Sequence, residues 1–180
     1  MATTSAPQYF RRFAGALMLD PSAYEDVEAD RSATLQALAT VLLASLAEGF
    51  ALRSALGPNS VVMMTAVALL GWAAWSLLTF EVGARILPGA RTHSDVGELL
   101  RTLGFAAAPG CIAFLSLLPG FAMPILVFSR TWMLLAMVVA VRQALDYTST
   151  GRAVAVCLLG WLLTSAMIAA LAFFGATTVS

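Results

Sequence analysis

Residues 61–80 read VVMMTAVALLGWAAWSLLTF, a run without a single charged side chain. A helix rises about 1.5 Å per residue, so this run reaches the roughly 30 Å of a bilayer's hydrocarbon core. The apolar character continues to about residue 87, long enough for the helix to tilt. Four further stretches share it, at about 33–52, 99–118, 121–145 and 153–174. The breaks between them carry turn chemistry: Gly57-Pro58-Asn59, Leu87-Pro88-Gly89, Pro119-Gly120 and the polar YTSTG of residues 147–151. Glycine and proline punctuate helices, and proline's missing N–H costs least at their ends. The expected fold is therefore all-α: a five-span transmembrane bundle over residues 32–180, preceded by a short cytoplasmic or interfacial helix within residues 1–31.

Composition points the same way. Hydrophobic residues make up 60% of the 180 and charged residues 11%, where a soluble domain carries about 25% charged. Net charge is zero, and every one of the ten basic residues is arginine. Without a basic excess a nucleic-acid partner is not expected. Cys111 and Cys157 lie in apolar runs without metal-ligand spacing, and are expected to be free, inert thiols. His93, the only histidine, has Asp95 and Glu98 nearby, which is weak evidence for a metal. No hydrolase, zincin or phosphate-binding motif is present, so neither an enzyme nor a cofactor is expected. The N-terminal residues lack the basic start and apolar core of a cleavable signal peptide.

Arginine placement sets the expected orientation. With a cytoplasmic N-terminus, Arg11, Arg12, Arg31, Arg85, Arg91, Arg101, Arg142 and Arg152 fall inside and Arg53 outside, while Arg130 lies within the fourth span. That asymmetry follows the positive-inside rule and requires an odd number of spans, putting the C-terminus outside.

Ahead of the first span, Phe10, Phe13, Leu17 and Met18 recur at helical spacing beside Arg11 and Arg12. This segment either lies among lipid headgroups or folds against the bundle as a short soluble helix. The acidic stretch that follows opens with Ser22-x-x-Glu25, a capping-box pattern that predicts a helix start at Ser22. Ser32 is placed to cap the first span.

Ionisable groups within spans are costly and call for partners. Glu48 and Arg130 both belong to the outer third of the membrane and are candidates for an intramembrane ion pair; Arg130 snorkelling to the surface is the alternative. Glu98, Arg101, Arg142, Asp146 and Arg152 gather on the cytoplasmic side, as a docking face or as an ordinary charged rim. Glu81–Arg85 and Arg142–Asp146 have i,i+4 spacing. Pro109, amid Gly104, Ala106, Ala107, Ala108 and Gly110, is expected to kink a small-residue third helix. Trp132 lies close enough in sequence to Arg130 for a cation–π contact.

The stretch GELLRTLGFAAAPG (97–110), the Pro119-Gly120 turn, Trp132 and AVRQALDYTSTGRAV (140–154) together resemble the bacterial branch of the Yip family, the Ypt- or Rab-interacting membrane proteins. The resemblance runs from about Asp20 to Phe174. It implies a five-span bundle with a cytoplasmic N-terminus, in a bacterial inner membrane. By family analogy alone it also suggests a small GTPase partner, and it carries over no catalytic residue. The expected function is a non-enzymatic scaffold, membrane organiser or subunit of a larger membrane assembly. Its expected partners are lipids and other membrane subunits, or further copies of itself. The alternative is a small transporter, channel or lipid-moving protein that uses Glu48 and Arg130.

Overall fold

The computed structural model describes residues 6–89, 94–118, 120–160 and 162. These are mostly helical, with no strand among them. Helices α1 (Ala6–Leu17) and α2 (Pro21–Ala29) form an N-terminal hairpin. The long α3 (Ala33–Ala51) follows, then a short α4 (Arg53–Leu56) and α5 (Ser60–Phe80). A π-helical turn over Glu81–Ile86 extends α5. Next come α6 (Val96–Phe105), a 3-10 segment over Ala108–Leu117, α7 (Ala122–Ala144) and α8 (Thr150–Gly160). Four helical stretches are long and apolar enough to cross a membrane: Ala33–Ala51, Val61–Ile86, Val96–Leu117 and Ala122–Ala144. That is the architecture of a polytopic membrane protein. Of the fifth expected span, 153–174, residues 153–160 belong to the apolar α8. The span's remainder, apart from Leu162, lies outside the described residues.

The third stretch is the core of the bundle: 67% of it is buried, against 6% of the second. Its composition explains its place. Small side chains let backbones approach where van der Waals packing, rather than water, drives association. A Cβ added at Gly104 would come within 2.6 Å of the Ala37 Cβ, and one at Gly110 within 2.9 Å of the Ala44 Cβ. Ala37 and Ala44 lie on one buried face of α3.

Pro109 acts differently from the expected kink. The α-helix stops at Phe105, and a new 3-10 segment begins at Ala108 with Pro109 in its first turn. Proline at the start of a helical segment sacrifices no hydrogen bond, since that N–H has no intrahelical partner. The carbonyl of Pro109 accepts from the buried Ser129 Oγ of α7 at 2.9 Å. The break thus becomes a hydrogen-bonded joint between the third and fourth spanning stretches. A ten-residue 3-10 run is long for that geometry; here it is clasped between α3 and α7.

The start of α2 also differs from the expected one. Asp20 is the N-cap, its Oδ1 accepting from Ser22 N at 3.0 Å and from Ser22 Oγ at 2.8 Å, with Pro21 at the first helical position. Aspartate followed by proline is the stronger start signal. Asp95 and Glu98 form the reciprocal capping box at the head of α6 instead, each at 2.9 Å. Ser32 does occupy the N-cap position of α3, but its hydroxyl donates to Asp30.

Gly104→Val is expected to force α3 and α6 apart at the Ala37 contact, costing about 1–3 kcal/mol as overpacking. Thermal unfolding of the detergent-solubilised protein checks this; an unchanged midpoint would refute the close approach.

Candidate functional site

The N-terminal hairpin is fastened to the bundle by buried arginines. Arg12, the largest fully buried side chain, has 1% of its surface exposed. Its guanidinium meets Asp26 at 2.9 Å, Asp30 at 2.9 Å, and Gln36 of α3 at 3.0 Å. Arg11 is exposed and pairs with Asp26 at 3.1 Å. Both arginines are thus turned toward α2, and Arg12 does not lie among lipid headgroups as the interfacial reading had it. Burying a guanidinium is tolerable only when charge and hydrogen bonds accompany it. The hydrogen bond from Arg12 holds the Asp26 carboxyl below the usual carboxylate range. Asp30 is held low first by Ser32 and then by Arg12. Phe13 and Leu17 are half-buried, while Phe10 and Met18 stay exposed. The hairpin makes two more attachments: Tyr9 Oη lies 3.3 Å from Thr40 Oγ1, and Trp132 Nε1 donates to Leu17 O at 2.8 Å. Trp132 stacks on Phe128 rather than on Arg130.

The expected polar cluster divides into separate local roles. Arg101 is buried and donates to the carbonyls of Val27 and Glu28 at 3.2 and 2.6 Å. These carbonyls belong to the last turn of α2, where a cation answers both the unpaired acceptors and the negative end of the helix dipole. Glu98 caps its own helix. Arg142 Nε donates to Tyr147 O at 3.3 Å, and Arg152 Nη1 donates to Pro88 O at 3.2 Å while lying over the Tyr147 ring. Asp146 is exposed beyond the end of α7, with φ +51°, so it does not share a helix face with Arg142. Among the described residues no ion pair joins members of this cluster. Glu81 and Arg85 do pair, at 2.9 Å on an exposed surface.

Glu28 stands out here. It is half-buried beside Glu98, Asp146 and Glu25, and burial first, then those carboxylates, push its carboxyl up to about 7 against the opposing pull of Arg101. Sequence reading passed over it because the carboxylates around it come from three separate segments.

At the opposite end of the bundle, Arg130 Nη2 lies 2.9 Å from Glu48 Oε2. Glu48 is 11% exposed and Arg130 52%. The pair closes one end of a groove of about 580 Å³ between α3, α5, α7 and α8. Its walls are almost wholly apolar, formed by Val41, Met64, Val67, Met133, Met137 and Leu158 among others. Trp75 also lines it, and its Nε1 is buried without a hydrogen-bond partner among the described residues. Cys157 contributes to the wall, and both Cys111 and Cys157 are free thiols. His93 lies outside the described residues, and among those described no group of three or more metal-ligating side chains forms. No family model, curated protein or solved structure matches the chain.

The Glu28 environment has a pH consequence. Between about 4.5 and 7 the folded chain holds a proton that the unfolded chain releases, so the stability Glu28 contributes falls as pH rises through that window. Glu28→Gln is expected to unfold at a higher temperature than wild type above about pH 7, with the difference vanishing below about pH 4.5. Melting curves of both proteins across that range test it. A difference independent of pH would remove Glu28 as the cause.

Proposed function

We propose that this chain is a non-enzymatic integral membrane protein that acts as a scaffold, a membrane organiser or a subunit of a larger assembly. The observation that carries this reading is the outer face of α5. Met63, Ala66, Leu70, Ala73 and Leu77 are all exposed, spaced alternately three and four residues apart. That is the spacing of a coiled-coil seam, with large and small side chains alternating as knobs and holes. Small residues at such positions let a second membrane helix approach closely. The face belongs to the least buried of the four spanning stretches, so it does not serve the core formed by the described residues. The resemblance to the bacterial Yip branch supports the same reading, and with it we propose five spans, a cytoplasmic N-terminus, a C-terminus outside and a place in a bacterial inner membrane. The partner is a second copy or another membrane subunit. A small GTPase is a partner only by family analogy.

Extraction in mild detergent is expected to recover the protein as a homo-oligomer or with other membrane subunits, and Ala66→Trp with Ala73→Trp to dissolve that assembly. Recovery of the wild-type protein solely as a monomer, without effect on bilayers, would sink the scaffold reading.

The groove supports a second reading, a small transporter, channel or lipid-moving protein that uses Glu48 and Arg130. Flux through proteoliposomes is then expected to disappear in Glu48→Gln or Arg130→Gln. Unchanged flux in both would clear these residues of a transport role.

A further inference from the structure

The groove beside Glu48 and Arg130 has a shape and a charge pattern that specify an occupant. A guanidinium carries five N–H donors. Arg130 spends one, on Glu48, and its remaining donors meet no acceptor among the described residues. Its side chain is half exposed, whereas Glu48 is nearly covered. An incoming acceptor therefore meets the cation and not the carboxylate.

The pair also lies at a defined level. Glu48 is one turn before the end of α3, and the exposed Arg53 follows directly. Arg130 is thus within reach of the polar boundary of the bundle. From there the apolar lining runs along α5 between Met64 and Trp75. Those eleven steps correspond to about 16 Å of helix, which is one leaflet of a hydrocarbon core roughly 30 Å thick. A groove one leaflet long, apolar along its length and with a half-exposed guanidinium at its surface end, matches an amphiphile with an anionic head and a hydrocarbon tail. The volume of about 580 Å³ lies within the roughly 300–1,000 Å³ typical of small-ligand sites.

We propose that this groove is a binding site for an anionic phospholipid, one acyl chain lying between α3, α5 and α7 and the phosphate held by the free donors of Arg130. Glu48 positions the guanidinium. A planar fork suits phosphate oxygens better than an ammonium does. The site rests on the groove of the second functional reading but not on transport, because a lipid held there is either cargo or a fixed structural component.

Native mass spectrometry of the full chain tests the assignment, with dioleoyl phosphatidylglycerol, dioleoyl phosphatidylcholine and oleate added separately to the delipidated protein in detergent. Phosphatidylglycerol is expected to be retained at one per chain, about tenfold more strongly than phosphatidylcholine, since only the former leaves the phosphate unopposed by a headgroup cation. Arg130→Gln is expected to abolish that preference. Gly71→Phe fills the groove: Gly71 lines it, and a Cβ there meets nothing within 4 Å. Because glycine is a poor helix residue, this change leaves α5 able to form. It is expected to lower retention of phosphatidylglycerol about tenfold while the melting temperature holds. Retention of no lipid, equal retention of both phospholipids, retention of oleate alone, or retention indifferent to Gly71→Phe would each overturn the site. The last would mean that the chain itself or nothing fills the groove. Flux unchanged by Arg130→Gln while the lipid preference is lost would reject transport and leave the binding site standing.

Discussion

The bundle depends on how closely α3 can approach the third spanning stretch. Ala37 meets Gly104 and Ala44 meets Gly110, with no room for another carbon at either glycine. In a bilayer the hydrophobic effect offers little drive for helix association, because lipid tails are as apolar as leucine. Close van der Waals contact has to supply it, and small side chains are the means. The same tight seam lets the third stretch abandon the α-helix at Phe105 without losing its place. Its 3-10 continuation is clasped by α3 and α7 and fixed by the Ser129 bond to Pro109 O.

Charge fastens what packing alone would leave loose. The N-terminal hairpin is too polar to enter hydrocarbon and too short to hold a core of its own. Arg12 and Arg101 dock it from opposite directions, one from within α1 and one from α6. Both are buried: Arg12 binds the hairpin's Asp26 and the following Asp30 and reaches across to Gln36 of α3, while Arg101 binds the carbonyls of Val27 and Glu28 in α2. Truncating either arginine would strand carboxylates or helix-end carbonyls without a cation. For fully buried charge pairs that costs about 3–5 kcal/mol, and less here because Asp26 and Asp30 remain about a third exposed to screening. The crowded carboxylates around Glu28 work against this docking, which makes the hairpin's attachment responsive to pH.

Among the described residues, two faces remain open once these internal demands are met. One is the heptad-spaced seam on α5, suited to another helix. The other is the apolar groove ending at Arg130, suited to a hydrocarbon chain. They lie on the same peripheral element but differ in chemistry, since the seam offers alternating bulk and the groove offers depth with a cation at its end. An assembly built through the first would leave the second available to lipid.

Much of this protein is legible in its sequence. Uninterrupted runs such as 61–80 and the Gly-Pro breaks dictate membrane-length helices, because a backbone in hydrocarbon must satisfy its own hydrogen bonds. Charges isolated in apolar runs flagged Glu48 and Arg130 on cost alone. Other features turn on distances in space that sequence spacing cannot supply. Arg12 reads like its neighbour Arg11, yet one is buried and the other exposed: both reach Asp26, but only Arg12 also meets Asp30 and Gln36 of α3. Arg101 and Arg142 read as members of one charged rim, but each is taken up by carbonyls from a different turn. The break at Pro109 was readable as a disturbance, and only the neighbouring Ser129 decided that it would be a joint. Sequence periodicity records what each helix must bury; which partner covers each polar atom is settled only where the helices meet.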